Sequence, residues 1–135
     1  MTGPTTTAVL TWTRDLVFDA RSGPSSLTID GRSVAGPNPV EALAIALAGC
    51  MAVDVVDIVT KGRHDLRGLS ASLAAERAAD SPRRFVKVEL HFVVTGDVPV
   101  TAVRRALALS REKYCSVWQT LRQDIPFATT CEVRP

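Results

Sequence analysis

The sequence contains few of the residues and motifs from which enzyme chemistry is usually inferred. It has two histidines and three cysteines among 135 residues, and no Cys-x-x-Cys or His-Glu-x-x-His motif occurs. There is also no Gly-x-Gly-x-x-Gly sequence, no phosphate-binding loop and no Gly-x-Ser-x-Gly signature. We interpret His64 as a helix-terminus cation and His91 as a solvated strand residue. These absences count against zinc chemistry and serine-dependent hydrolysis.

An excess of one charge is also missing. The chain has 16 Lys and Arg against 14 Asp and Glu, which gives a net charge of +2. This small, dispersed charge does not predict nucleic acid or an anionic membrane as a partner. The longest apolar run, Ala42 to Val53, has 12 residues, whereas a membrane-spanning helix needs about 20. We therefore expect a buried core helix and no membrane association.

The three cysteines, Cys50, Cys115 and Cys131, are too few and too widely spaced for a secreted disulfide framework. No signal-peptide pattern or lipidation motif is found near the ends of the sequence, so we expect a reducing cytoplasm. The length and the 46% hydrophobic content predict one folded domain over residues 1–135.

Hydrophobic periodicity and turn residues predict an α+β fold with the order βββ-α-ββ-αα-β. Asn38 and Glu41 form a capping-box pattern at the start of a helix from Pro39 to Lys61, and Gly62 is expected to end it in a left-handed conformation. The predicted strands are 8–13, 16–19, 26–29, 66–76, 85–95 and 125–133, and further helices are predicted at 100–114 and from Ser116, where Ser116-x-x-Gln119 resembles a second capping box.

The central helix is apolar on nearly every side from Ala42 to Val53. A chain of this length cannot easily cover such a helix alone. Either a strongly curved sheet or a second subunit must surround it.

The cysteines differ in their local surroundings. Cys50 lies in the middle of the helix among small apolar residues, which is typical of a packed core thiol unless a charged neighbour activates it. Cys115 lies before a predicted helix N-terminus and follows Arg111 and Lys113, features that lower a thiol pKa. By local physics alone Cys115 is the better candidate for a thiolate, and Cys131 is expected to be a core residue.

Two stretches of the chain carry distinctive motifs. The first stretch contains Asn38-Pro39-Val40-Glu41, Ala46-Leu47-Ala48-Gly49-Cys50, Asp54-Val55-Val56 and Lys61-Gly62-Arg63, and the second is Leu109-Ser110-Arg111-Glu112-Lys113-Tyr114-Cys115-Ser116-Val117. These motifs resemble those of the OsmC/Ohr family, which comprises osmotically inducible protein C and the organic hydroperoxide resistance proteins, and the second stretch is similar to the OsmC-like branch. They occur in the right order, and the resemblance extends from about Ala8 to Val133.

The resemblance implies an intertwined homodimer in which two central helices pack together. It also implies a thiol-dependent peroxidase for organic hydroperoxides, with Cys50 as the peroxidatic cysteine and Cys115 as the resolving cysteine. The reductant implied is an external dithiol, such as a lipoyl protein. No metal, flavin or haem is implied.

Glu41 matches the family glutamate that orients an arginine against the reactive thiolate, in addition to its capping role. Nine residues separate Glu41 from Cys50, which places them on opposite sides of an ideal helix. Contact would need a bent helix, an intermediary side chain or a partner subunit. The sequence does not identify the arginine, and the candidates are Arg14, Arg21, Arg32 and Arg77.

We therefore hypothesise a cytoplasmic, homodimeric peroxidase acting in oxidative stress defence through Cys50 and Cys115. The alternative is a non-catalytic protein on the same dimeric scaffold that binds a small molecule or senses the redox state. Stoichiometric peroxide should consume two thiols per chain in the first case and none in a binding protein.

Overall fold

A computed structural model describes residues 1–135 and divides them into two compact units, Met1–Leu43 and Ala44–Pro135. The predicted α+β order is confirmed, and most element limits differ from the predicted ones by one to three residues. The elements are β1 (Val9–Arg14), β2 (Val17–Ser22), β3 (Ser25–Asp30), α1 (Pro39–Lys61), β4 (Asp65–Arg77), β5 (Phe85–Asp97), α2 (Val100–Leu109), a π-helical segment (Ser110–Tyr114), α3 (Ser116–Thr120) and β6 (Phe127–Arg134).

The first unit is built on the predicted antiparallel meander, with β2 between β1 and β3. Gly23, at φ 55°, supplies the left-handed residue of the turn between β2 and β3. At the end of β3, the Asp30 carboxylate accepts hydrogen bonds from the N–H groups of Arg32, Val34 and Ala35. These bonds lower the pKa of Asp30 and organise the loop that leads to α1.

The capping box at the start of α1 is confirmed. The Glu41 N–H donates to Asn38 Oδ1 at 2.8 Å, and the Asn38 N–H donates to Glu41 Oε1 at 3.0 Å. At the other end of the helix the prediction for Gly62 is wrong. Arg63 is the residue with a left-handed backbone, at φ 62°, and the Gly62 N–H still donates to the Ile58 carbonyl as in a helix.

The second unit contains a sheet in the order β4-β5-β6, in which β5 is antiparallel to β4 and parallel to β6. The central strand β5 contributes the largest part of the core through its alternate side chains, and α2 packs against β6. The fully buried β5 side chains are Val88, Leu90, Phe92 and Val94. This arrangement supports the segment that carries Cys115, which lies on the crossover from β5 to β6.

Helix α1 is buried along one stripe only, formed by Leu47, Met51, Val55 and Val59. Ile45 and Val53 remain 63% and 68% exposed, so the chain does not cover the whole helix by itself, as its apolar length predicts. By length and composition alone α1 could cross a membrane, with a mean hydropathy of 2.2. A single helix of this kind is a weak indication, because core helices of soluble proteins have the same properties.

Candidate active site around Cys50 and Cys115

The two cysteines proposed from the sequence are neighbours in the second unit. Cys50 lies in the middle of α1 and is partly exposed, whereas Cys115 is 0% exposed. The side chain of Cys50 lies close enough to the Cys115 thiol to raise the pKa of that thiol. Both cysteines are in the free thiol form. The chain therefore brings together one accessible thiol and one inaccessible thiol.

Cys115 is the N-cap residue of α3. Its Sγ atom accepts a hydrogen bond from the Trp118 N–H at 3.3 Å, and its own N–H donates to the Ser110 carbonyl at 2.7 Å. The predicted Ser116–Gln119 capping box does not form, because Gln119 instead donates to the carbonyl of Arg111 at 2.7 Å. The helix cap is thus the thiol itself.

The expectation that Cys115 has a lowered pKa is wrong. Burial raises the pKa of the Cys115 thiol to about 11, and the hydrogen bond and charge of Cys50 and the charge of Asp54 act in the same direction. The Trp118 N–H opposes this shift without cancelling it. The basic residues near Cys115 in sequence contact aromatic rings: the Arg111 guanidinium lies 5.0 Å from the Phe127 ring, and Lys113 Nζ lies 5.3 Å from the Tyr114 ring.

A polar contact links α1 to the segment that carries Cys115. The Ser110 hydroxyl donates a hydrogen bond to Asp54 Oδ2 at 2.7 Å, and Ser110 is 0% exposed. Asp54 follows Cys50 by four residues, so both side chains project from the same face of α1. Asp54 is therefore the carboxylate one helical turn from the accessible thiol.

Glu41 belongs to the first compact unit, whereas both cysteines belong to the second. Its carboxylate accepts hydrogen bonds from the Asn38 N–H and the Ser33 hydroxyl, and these bonds lower the pKa of Glu41. Glu41 forms no ion pair within the chain, so the structure assigns it the capping role. Its role towards Cys50 stays a prediction.

The four candidate arginines have different environments. Arg21 pairs with Asp19 at 2.9 Å, and Arg77 donates to the Arg83 carbonyl. The side chains of Arg14 and Arg32 form no ion pair within the chain, although the charge of Arg14 helps to lower the pKa of Asp30. The activating arginine therefore stays unassigned.

Cys131 is partly buried rather than a full core residue. It lines an open groove of about 610 Å³ between α2 and β6, together with residues that include Arg104 and Arg111. No group of three or more His, Cys, Asp or Glu side chains is arranged to hold a metal ion.

Sequence reasoning did not assign roles to Asp54, Ser110 and Trp118. Asp54 could have been found, because it interrupts an apolar helix one turn after a cysteine and a charged group in such a place needs a partner. The Trp118 contact had no sequence signal, since it is made by a backbone N–H.

The chain is similar to known proteins over most of its length. A model of the OsmC-like protein family matches residues 30–130. Protein YhfA of Escherichia coli strain K12 is 40% identical over 125 residues, covering 90% of this chain and 93% of the relative. A hypothetical protein from Aquifex aeolicus has the same fold, with a TM-score of 0.91, 26% identity and 98% coverage of both chains.

Structures of organic hydroperoxide resistance proteins also share the fold. One example, from Legionella pneumophila, has a TM-score of 0.71 and 18% identity, with 98% of this chain and 100% of that chain covered. The resemblance predicted from the cysteine motifs is confirmed, and the chain belongs to the OsmC-like protein family.

Proposed function

We propose that the protein is a homodimeric, cytoplasmic thiol peroxidase that reduces organic hydroperoxides to alcohols through Cys50 and Cys115. The observation that carries this proposal is the pairing of a partly exposed thiol with a buried one in direct side-chain proximity. Two neighbouring free thiols in a reducing compartment are typical of redox chemistry rather than of structural support.

The difference in exposure supports distinct roles for the two thiols. A hydroperoxide can reach Cys50, which is partly exposed, but cannot reach Cys115 in this conformation. With a pKa of about 11, only about one Cys115 thiol in 10⁴ is ionised at pH 7. Cys115 is therefore a poor nucleophile for peroxide, and Cys50 is the group that attacks.

The reaction has three balanced steps. The Cys50 thiolate attacks the distal peroxide oxygen, the O–O bond breaks, and the alkoxide takes a proton and leaves as an alcohol. The Cys115 sulfur then attacks the resulting Cys50 sulfenic acid, and the hydroxyl group leaves with the thiol proton as water. An external dithiol, such as a lipoyl group, reduces the disulfide and becomes a disulfide itself. No metal or organic cofactor takes part in this scheme.

The exposed side of α1 supports the dimer. Its apolar residues Ile45, Val53 and Val56 are accessible, and a side chain at Gly49 would meet no atom within 4 Å. The first unit likewise leaves apolar residues accessible: Val9, Leu10, Trp12, Leu16 and Leu27. We assign the covering of these surfaces to a second copy of the chain, which would also supply an arginine to Cys50. Arg14 and Arg32 are the preferred candidates, because neither is engaged in an ion pair.

The proposal is tested by steady-state reduction of cumene hydroperoxide with dihydrolipoamide as the reductant. We expect Cys50→Ser to abolish turnover and Cys115→Ser to release one equivalent of alcohol and then stop as a sulfenic acid. Cys131→Ser is the matched control. It should retain wild-type turnover, because Cys131 lines the groove between α2 and β6 and takes no part in the proposed reaction. Full activity of Cys50→Ser would exclude the proposed mechanism.

Thiol titration separates this enzyme from the alternative of a binding protein on the same scaffold. After one equivalent of cumene hydroperoxide per chain, we expect two of the three thiols to disappear and to return upon treatment with a dithiol. A binding protein would keep all three thiols under these conditions.

A further inference from the structure

We propose that Asp54 and Ser110 are positioning residues that hold Cys115 against Cys50 for disulfide formation. The inference rests on the proposed function, since it concerns the second step of that reaction. It assigns a role to a polar contact that the peroxidase mechanism does not otherwise use.

A continuous chain of hydrogen bonds links the two cysteine-bearing segments. Asp54 lies one helical turn after Cys50 on α1, and its Oδ2 atom accepts the Ser110 hydroxyl hydrogen at 2.7 Å. The carbonyl of Ser110 accepts the Cys115 N–H at 2.7 Å. Ser110 therefore makes two hydrogen bonds that connect the cysteines. Its carbonyl accepts from the backbone of Cys115, and its hydroxyl donates to the helix that carries Cys50.

The π-helical segment gives this contact its geometric effect. Ser110 is its first residue, and the Cys115 N–H bonds five residues back to Ser110 rather than four. Such segments are rare, and they often occur at functional sites. Here the wider turn ends directly at Cys115, whose side chain then caps α3 by accepting the Trp118 N–H. Loss of the Ser110 contact frees the start of the segment from α1.

The charge of Asp54 provides a second effect. A carboxylate near Cys115 disfavours its thiolate, and this charge contributes to the raised pKa of that thiol. Burial has the largest effect on this pKa and the charge of Asp54 adds to it, so that Cys115 stays protonated until a sulfenic acid forms on Cys50. In the resolving step the S–S bond forms, the S–O bond breaks, and the thiol proton leaves with the hydroxyl group as water.

Three variants separate the effect of the Ser110–Asp54 hydrogen bond from the effect of the Asp54 charge. Ser110→Ala removes the hydrogen bond and keeps the charge, Asp54→Asn keeps an acceptor for Ser110 and removes the charge, and Asp54→Ala removes both. Thr60→Ala is the matched control, because it removes a hydroxyl from the exposed side of the same helix, where that hydroxyl bonds only to backbone carbonyls.

The first measurement is the lifetime of the Cys50 sulfenic acid after one equivalent of cumene hydroperoxide, followed by trapping with dimedone. A misplacement of reacting groups by about 1 Å can cost on the order of 100-fold in rate. We expect Ser110→Ala and Asp54→Ala to lengthen this lifetime by about 10- to 100-fold, with the rate of alcohol release unchanged. Asp54→Asn should have a near-normal lifetime, and the pH at which iodoacetamide alkylates Cys115 should fall. A merely structural role would lower the melting temperature and leave both readouts as in Thr60→Ala.

The second measurement does not depend on peroxidase activity. Equilibration with glutathione redox buffers gives the effective concentration of Cys115 towards Cys50, which reports how well the two thiols are positioned. We expect this value to fall about tenfold or more in Ser110→Ala and to stay unchanged in Thr60→Ala. An unchanged value in Ser110→Ala overturns the inference. Failure of the wild-type protein to release alcohol overturns the proposed function instead.

Discussion

The backbone N–H of Trp118 donates a hydrogen bond to the Sγ atom of Cys115 at 3.3 Å, so that a cysteine thiol caps the short helix α3. A hydrogen bond of this kind favours a thiolate, but burial of the side chain has the larger effect and the net pKa is about 11. The buried cysteine is therefore a protonated thiol at neutral pH.

The first prediction concerns the reactivity of Cys115. In the reduced wild-type protein, alkylation of Cys115 by iodoacetamide should be slow at pH 7, because the thiol is 0% exposed and only its thiolate reacts, and it should rise up to about pH 11. Quantitative mass spectrometry of the cysteine-containing peptides measures this profile, with the partly exposed Cys131 as an internal reference. Rapid alkylation of Cys115 with a midpoint below pH 8 would contradict the assignment.

The same pKa predicts a loss of stability in alkaline solution. The thiol pKa rises from 9.0 in the unfolded chain to about 11 in the folded one, so the unfolded state releases its proton first as the pH rises. The stabilisation is complete below pH 9 and is lost progressively between pH 9 and 11. Thermal melts should therefore show a smaller fall in melting temperature over this range for Cys115→Ala than for the wild type. Cys131→Ala, the control, should follow the wild-type curve.

A third prediction tests the exposed side of α1. Val53→Asp places a charge at a 68%-exposed position in the proposed dimer interface and should convert most of the dimer to monomer. Ala79→Asp introduces the same charge in the exposed loop between β4 and β5 and should leave the dimer intact. Sedimentation-velocity ultracentrifugation measures the two species. A monomeric wild-type protein would rule out the dimer.

A fourth prediction separates the two roles of Glu41. Asn38→Ala removes the acceptor for the Glu41 N–H and should lower the free energy of unfolding by about 1 kcal/mol, with little effect on peroxidase activity. Glu41→Gln keeps an oxygen that can accept the Asn38 N–H but removes the charge, and it should lower kcat/KM by about tenfold or more. The comparison needs chemical denaturation and peroxide kinetics on both variants. Equal kinetics in the two variants would leave Glu41 with a capping role alone.

The sequence predicted much of the fold because its signals are local. Asn38 and Glu41 exchange two hydrogen bonds within the first turn of α1. In β5 the alternating hydrophobic residues of the sequence are the side chains that the fold buries. The wrong assignment at Gly62 has a local cause too. Arg63, the next residue, adopts the left-handed conformation expected of Gly62.

The site was less predictable because its properties depend on contacts between distant residues. The spacing around Cys115 predicted a lowered pKa, whereas burial in the folded chain and the nearby Asp54 raise it. The Ser110–Asp54 hydrogen bond joins residues 56 positions apart, which no local pattern reveals. The proposal that Cys50 and Cys115 act as a pair came from the family motifs, and the exposure of each thiol came from the structure.

The central claim is that Cys50 and Cys115 form a disulfide as they reduce a hydroperoxide. The most direct test is peptide mapping under non-reducing conditions after one equivalent of cumene hydroperoxide, with the released alcohol quantified in the same sample. The account predicts one alcohol per chain, a single Cys50–Cys115 linked peptide and a free Cys131. Three free thiols with intact hydroperoxide, or a disulfide that involves Cys131 instead, would contradict it.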